Sequence, residues 1–274
     1  MEVEGGTRMN ARRSLFQSRR IVIKAGTSIL TSHAGRISQK SLKNLGDEIT
    51  RLRKETRQVV LVSSGAIAFG MQSMDWHERP KEMPRLQACA AVGQGKLMHA
   101  YEQFFSRRGI ATAQILLTRD GLETRSRFLA ARHTLDQLFR MKALPIINEN
   151  DTVATEEIAF GDNDILSVQV AHLVHADLLV ILSDVDGFFL RDGSRIRNVS
   201  SAAEIDQELV KHLVDVRKEK TVGGMRAKLR AARMAMRFGI PLMIVNGHKP
   251  GIITQALAGE DVGTLFSAAK TRKK

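Results

Sequence analysis

Cysteine is almost missing from this 274-residue chain, with Cys89 the single example. One thiol excludes an internal disulfide and any cysteine-based metal cluster. Cys89 lies in the small-residue run "QACAAVGQG", where a buried small hydrophobe is the simplest role. A lone thiol without a secretory leader is the usage of a reducing, cytoplasmic compartment. Aromatics are equally scarce, at one Trp, one Tyr and 11 Phe, so Ile, Leu, Val, Ala and Met must fill the core. No apolar run approaches the ~18 residues that a membrane-spanning helix needs. Two familiar phosphate signatures are also missing. There is no Walker A pattern, and "VGQGKLMH" fails G-x-G-x-x-G because Met98 stands at the third glycine. An ordinary P-loop protein and a dinucleotide-binding protein are both disfavoured.

Charge of one sign is in excess, at a net +13. Residues 1–20 hold five Arg against two Glu, and residues 270–274 hold four basic residues, so the two ends supply seven of the thirteen charges. The remaining +6 does not demand nucleic acid as a partner. Residues 1–19 and 267–274 are expected to be solvated basic tails, with Met9 an alternative start to Met1.

Between the tails, strands and helices alternate. "RIVIKAG" (20–26), the first half of "QVVLVSSGAIAFGM" (58–71), "IATAQILL" (110–117), "ALPIIN" (143–148), "ADLLVILS" (176–183) and "PLMIVN" (241–246) have the apolar density of buried strands. Helical spacing covers 38–55, 84–108, 122–140 with Asp120 as a cap, 164–175, 203–215 and 224–238. That order predicts an α/β fold, a three-layer αβα sandwich around a mostly parallel sheet. In such a sheet ligands bind beyond the carboxyl ends of the strands, where Lys24 to Ser28, Ser63 to Gly65, Asn148 to Asp151 and Ser183 to Gly187 fall.

Each rim segment has two readings. "KAGTS" (24–28) can bring its backbone close to a phosphate that Lys24 neutralises, or be an ordinary βα turn with an exposed lysine. "VSSGA" (62–66) can present free N–H groups of a helix N-terminus to an anion, or be a serine cap. "GGMRAK" (223–228) leads two glycines into a helix whose first turn carries Arg226 and Lys228. Cations there oppose the helix dipole unless an anion docks; otherwise the segment is a loop with solvated charges. "DTVATEEIAF" (151–160) reads as a polar hairpin separating "NEND" (148–151) from "GDND" (161–164). Asn148, Asp151 and Asn163 could recognise the ammonium and polar ends of a small zwitterion, while Asp164 holds lysines in position. Asp162 and Asp164 could instead hold a hard cation, or the stretch could be an Asx-rich loop of caps.

In combination, "IKAGTSILT", "LVSSGAIAFGM", "AAVGQGKLM", "QILLTRD", "PIINENDTVA", "FGDNDILS", "DLLVILSDVDGFF" and "GGMRAKLRAA" resemble the amino acid kinase family over Arg20 to Phe266, and within it the branch that phosphorylates glutamate. The resemblance implies transfer of a phosphoryl group from ATP, with Mg²⁺, to the L-glutamate side chain in proline biosynthesis. It also implies a glutamate-binding N-terminal lobe and an ATP-binding C-terminal lobe. By motif, Lys24, Asp164 and Lys228 match catalytic positions, and Ser64, Gly65, Asn148, Asp151 and Asn163 match the substrate site. Lys24, Gly26, Thr27, Ser183, Asp184, Gly223, Gly224, Met225 and Lys228 match the nucleotide site, with no dedicated protein metal site. Partners implied are a homo-oligomer (dimer or tetramer), proline as a feedback inhibitor and hand-over of the product to glutamyl phosphate reductase.

Two departures stand out. Val222 replaces the threonine of the usual Gly-Thr-Gly-Gly loop and cannot donate a hydroxyl hydrogen bond. The chain also stops at Lys274, after the stretch where the C-terminal PUA domain that the family often carries would begin. Alternatives are a different carboxylate or carbamate kinase on the same fold, a non-catalytic amino-acid sensor, and nucleic-acid binding through the tails.

Overall fold

The computed structural model describes residues 12–31, 37–153, 163–190, 192–201, 203, 205 and 219–267, of which 119 and 219–223 by their backbone alone. Residues 1–11 and 268–274, most of the expected hairpin with Gly161 and Asp162, and nearly all of the expected 203–215 helix lie outside the described residues.

The strands are β1 (Arg20–Ala25), β2 (Gln58–Ser63), β3 (Thr112–Leu117), β4 (Leu144–Glu149), β5 (Leu178–Ser183), β6 (Asn198–Val199), β7 (Leu242–Asn246) and β8 (Thr264–Phe266). They form one eight-stranded sheet in the order β3-β4-β2-β1-β5-β7-β8-β6. Five consecutive pairings from β3 to β7 are parallel; β8 turns antiparallel against β7, and β6 runs parallel to β8. The expected mostly parallel sheet is therefore present. Its far edge, built from the short β6 and β8, has too few residues to show a periodic signal in the sequence.

The helices are α1 (Thr27–Leu30), α2 (Gln39–Lys54), α3 (Ala66–Ser73), α4 (Met83–Ser106), α5 (Arg119–Glu123), α6 (Arg125–Arg140), α7 (Asp164–Leu173), α8 (Glu219–Arg237) and α9 (Ile252–Leu257). They cover both faces, as strands that are apolar on both sides require. Alternate residues of each strand face opposite layers. Ile21, Ile23 and Ala25 of β1 join one core with Leu45 and Ile49 of α2 and Leu97 of α4. Val22 joins the other, with Leu166 and Val170 of α7 and Leu229 and Ala231 of α8. Lys24 shares the parity of Val22, so it leaves β1 on the α7–α8 side.

Local signals differ from expectation in four places. Thr118, not Asp120, caps α5: its hydroxyl accepts from Gly121 N at 3.2 Å. The expected 122–140 helix is broken at Thr124, the N-cap of α6. Helix α8 starts at Glu219 and runs through Gly223 and Gly224, so Arg226 and Lys228 lie beyond its first turn. The last part of the expected N-terminal tail is docked: Leu15 is buried in the core, and the buried Arg12 donates to the carbonyls of Arg197, Glu260, Val262 and Gly263. A guanidinium has five donors, so one residue ties four backbone acceptors together where charge counting saw only a solvated cation.

Candidate active site

The parallel register aligns the strand ends. Ala25 lies opposite Ser63 on one side and Leu182 on the other, and Ser183 lies opposite Asn246. Lys24, Ser64, Asn148 and Ser183 therefore open onto one rim, as the alternating pattern predicts.

At its centre is Asp164, the first residue of α7 and fully buried. Lys24 Nζ contacts its Oδ1 at 2.6 Å, and Lys228 Nζ contacts its Oδ2 at 3.1 Å. Both lysine side chains are largely buried, at 4% and 14% exposure. One carboxylate thus fixes two ammonium groups that are 204 residues apart in the chain (228 minus 24). A buried carboxylate at a helix N-terminus also sits in the favourable end of the dipole. Each element contributes through its own packing. β1 delivers Lys24 from the sheet, and α8, anchored by Leu229, Ala231 and Ala232, delivers Lys228 from the covering layer.

Beside this cluster lies a polar cleft lined by Thr27, Ser64, Gly65, Asn148, Asp151 and Asn163, together with Glu149 and Arg79. Asn163 is the brace between its walls. Its Nδ2 donates to Ser63 O at 2.7 Å, to Asn148 Oδ1 at 2.8 Å and to Ser64 Oγ at 3.1 Å. Asn148 Oδ1 also accepts from Glu149 N, and its Nδ2 donates to Gln94 Oε1 at 2.8 Å. These bonds make Asn148 a support of the cleft wall. Ser64 N is not free, since it donates to Ala25 O at 3.1 Å. Gly65 and Ala66 are the N-cap and first residue of α3. Gly65 takes φ +102°, and no serine side chain caps the helix. A residue held in the left-handed region suits glycine.

Asp151, half-buried at the cleft, has its carboxyl pushed up to about 6 by burial, with the charge of Arg79 pulling the other way. The floor is held by a buried hydrogen bond between Ser63 Oγ and Tyr101 Oη at 2.9 Å. Complete burial raises the Tyr101 phenol far above its ordinary value, with the Ser63 hydrogen bond a smaller opposing influence. α3 is pressed on α4 through glycines. A Cβ on Gly93 would lie 1.8 Å from Ala66 O, and one on Gly70 would lie 1.8 Å from Cys89 O.

Around the other side of Lys24, Gly26 caps α1, and a Cβ there would come within 3.4 Å of Lys24 Nζ. Ser183 ends β5 and donates to Asp184 Oδ1 at 3.2 Å. Gly224 has open space where a side chain would project, and Met225 packs on the core beneath α8. The Val222 side chain lies outside the described residues. Arg79, Gln94 and Glu149 are site residues that motif reading passed over. Arg79 sits in the irregular "HERPKEMP" stretch, with no periodicity to mark it, while Glu149 was visible within "NEND".

Comparison with known proteins agrees with this geometry. Residues 19–246 match the amino acid kinase family. The chain is 47% identical over 259 residues to the glutamate 5-kinase of Geobacter metallireducens, covering 93% of this chain and 69% of the relative. It is 45% identical over 275 residues to that of Moorella thermoacetica, covering 98% and 73%. Among solved structures, the UMP kinase of Bacillus anthracis superposes with a TM-score of 0.62 at 19% identity, covering 91% of this chain and 96% of that one. The N-acetylglutamate synthase of Neisseria gonorrhoeae does so with a TM-score of 0.63 at 15% identity, covering 98% and 66%. At those identities the structural likeness speaks for the fold alone, while the sequence relatives are close enough to place the chain. It belongs to the amino acid kinase family and, within it, to the glutamate 5-kinases.

Proposed function

We infer that the chain transfers the terminal phosphoryl group of ATP to the side-chain carboxylate of L-glutamate, giving γ-glutamyl phosphate and ADP on the route to proline. The observation that carries this reading is the buried Asp164 with a separate lysine on each oxygen, set beside a cleft lined by the carboxylates of Glu149 and Asp151. Phosphoryl transfer needs positioning and charge neutralisation more than covalent help. In this reading Lys24 meets the transferred phosphoryl and Lys228 the leaving oxygen, and Asp164 keeps both ammonium groups aimed. The nucleophile is a carboxylate with an ordinary pKa near ~4.3, already ionised at neutral pH, so no general base is needed.

Asp151 takes the substrate ammonium, with Ser64, Gly65 and Asn163 around it and Asn148 holding them in register. The N-terminal lobe thus carries glutamate, and the nucleotide lies over Gly26, Thr27, Ser183, Asp184 and the first half of α8, including Gly223, Gly224 and Met225. Among the described residues no group of three or more metal-ligating side chains occurs, and both oxygens of Asp164 already face lysines. That donor set suits Mg²⁺ held mainly by the phosphates of the nucleotide. There it would supply charge neutralisation for the transfer. No helix among the described residues is long and apolar enough to cross a membrane. Kinship extends the reading to a cytoplasmic dimer or tetramer, proline as a feedback inhibitor and glutamyl phosphate reductase as the consumer of the product.

The test is an ADP-release assay over glutamate, aspartate, N-acetylglutamate and carbamate, with and without proline, and with hydroxylamine to trap an acyl phosphate. Turnover with glutamate and formation of its hydroxamate are expected. Turnover confined to another acceptor would overturn the reading.

A further inference from the structure

A free amino acid bearing a side-chain carboxylate has three charges to place. In the reading above, on which this inference rests, the side-chain carboxylate faces the lysines and the ammonium faces Asp151, leaving the α-carboxylate. We propose that Arg79 receives it, making the loop between α3 and α4 a determinant of substrate choice.

Among the described residues, the charged ones lining the cleft are Arg79, Glu149 and Asp151, so Arg79 is the cation of that set. Its charge also acts on the Asp151 carboxyl, so it lies close enough to feel the group that would hold the ammonium. An ammonium and an α-carboxylate share one carbon, so their receptors must lie near one another with opposite signs, and Asp151 and Arg79 line the same cleft. The N-terminal end of α3, at Gly65 and Ala66, lines the same cleft. Its N–H groups can orient a carboxylate without neutralising it. A guanidinium supplies the full charge and a two-pronged donor matched to a carboxylate. The loop carrying Arg79 leaves α3 just after the segment pinned to α4 at Gly70 and Gly93. Its anchor is rigid although Arg79 itself is exposed.

The experiment compares glutamate with 4-aminobutyrate, which keeps the ammonium and the reacting carboxylate and lacks only the α-carboxylate. In the full-length chain, Arg79→Gln should raise KM for glutamate about 10- to 100-fold, the range for one charge-assisted contact. It should leave KM for 4-aminobutyrate unchanged, so the wild-type preference for glutamate collapses. Arg79→Lys should retain part of that preference. An unaltered glutamate KM, or equal losses with both substrates, would overturn the assignment while leaving glutamate phosphorylation intact. A wild-type chain inert toward glutamate would instead overturn the proposed function, and this inference with it.

Discussion

Replacing Asp164 by asparagine removes one negative charge and almost no volume, at a position with no solvent exposure. The two ammonium groups that it holds at 2.6 and 3.1 Å would then share a neutral amide. One side of that amide is itself a donor and has nothing to offer a lysine. Removing one partner of a buried ion pair costs about 3–5 kcal/mol. Lys228, at 14% exposure, can relax toward water, which puts the loss near the lower end, at ~3 kcal/mol. For a chain of this size each kcal/mol moves Tm by about 2–4 °C, so a drop of roughly 6–12 °C is expected. Binding of an ATP analogue should restore part of that loss, because its phosphates supply the missing anion, and ligand-induced stabilisation should exceed that of the wild type.

The kinetic effect follows from position. Displacement of a reacting or stabilising group by ~1 Å costs about 10²-fold, and loss of one preorganised electrostatic contact costs about 10²–10³-fold. A fall in kcat of about two to three decades is therefore expected, measured well below the lowered Tm. The cleft that would hold glutamate is braced by Asn163, Asn148 and Ser64. Its contacts do not pass through the Asp164 side chain, so KM for glutamate should change by less than about three-fold. A kcat close to the wild-type value would refute the reasoning. So would a large rise in KM with kcat preserved, since Asp164 would then act on binding and not on the transfer.

Two further predictions concern the cleft. The Asp151 carboxyl titrates at about 6 in the fold against 3.8 for its ordinary value, so below pH ~6 it loses the charge that would face the substrate ammonium. KM for glutamate should climb as pH falls from 7 to 5, and Asp151→Asn should abolish that slope. Because burial raises this pKa, the ligand-free fold binds more protons than the unfolded chain between about pH 4 and 6. This group therefore favours the fold at low pH and withdraws that stability as pH rises through 6; added glutamate should flatten the trend in thermal melts. At the helix contact, Gly93→Ala would drive a methyl to 1.8 Å from Ala66 O. A backbone obstruction cannot yield as a flexible side chain can, so a loss of about 3 kcal/mol, the upper end of overpacking, is expected in denaturant melts. A rise in glutamate KM should accompany it, as α3 and its Gly65 terminus shift. A normal melt and KM would show that the two helices are not in such close contact.

The sequence by itself determined the layers and the rim. Apolar strands such as "RIVIKA" and "LLVILS" can be satisfied only between two helical layers, and their polar ends must collect at one edge. It also singled out Lys24, Asp164 and Lys228 as candidates, by their place at strand ends and in glycine-led segments, while their roles came from the motifs shared with the amino acid kinase family. What it could not decide depended on contacts between distant segments. That α8 runs straight through Gly223 and Gly224 is a tertiary override of two poor helix formers. That Arg12 is buried and not solvated depends on four carbonyls from segments some 185 to 251 residues away. That Arg79 lines the cleft depends on how α3 and α4 pack. The meeting of Lys24 and Lys228 on one carboxylate was also fixed only in three dimensions. Periodicity assigns a side chain to a face of its own element, whereas a site is made where the faces of several elements converge.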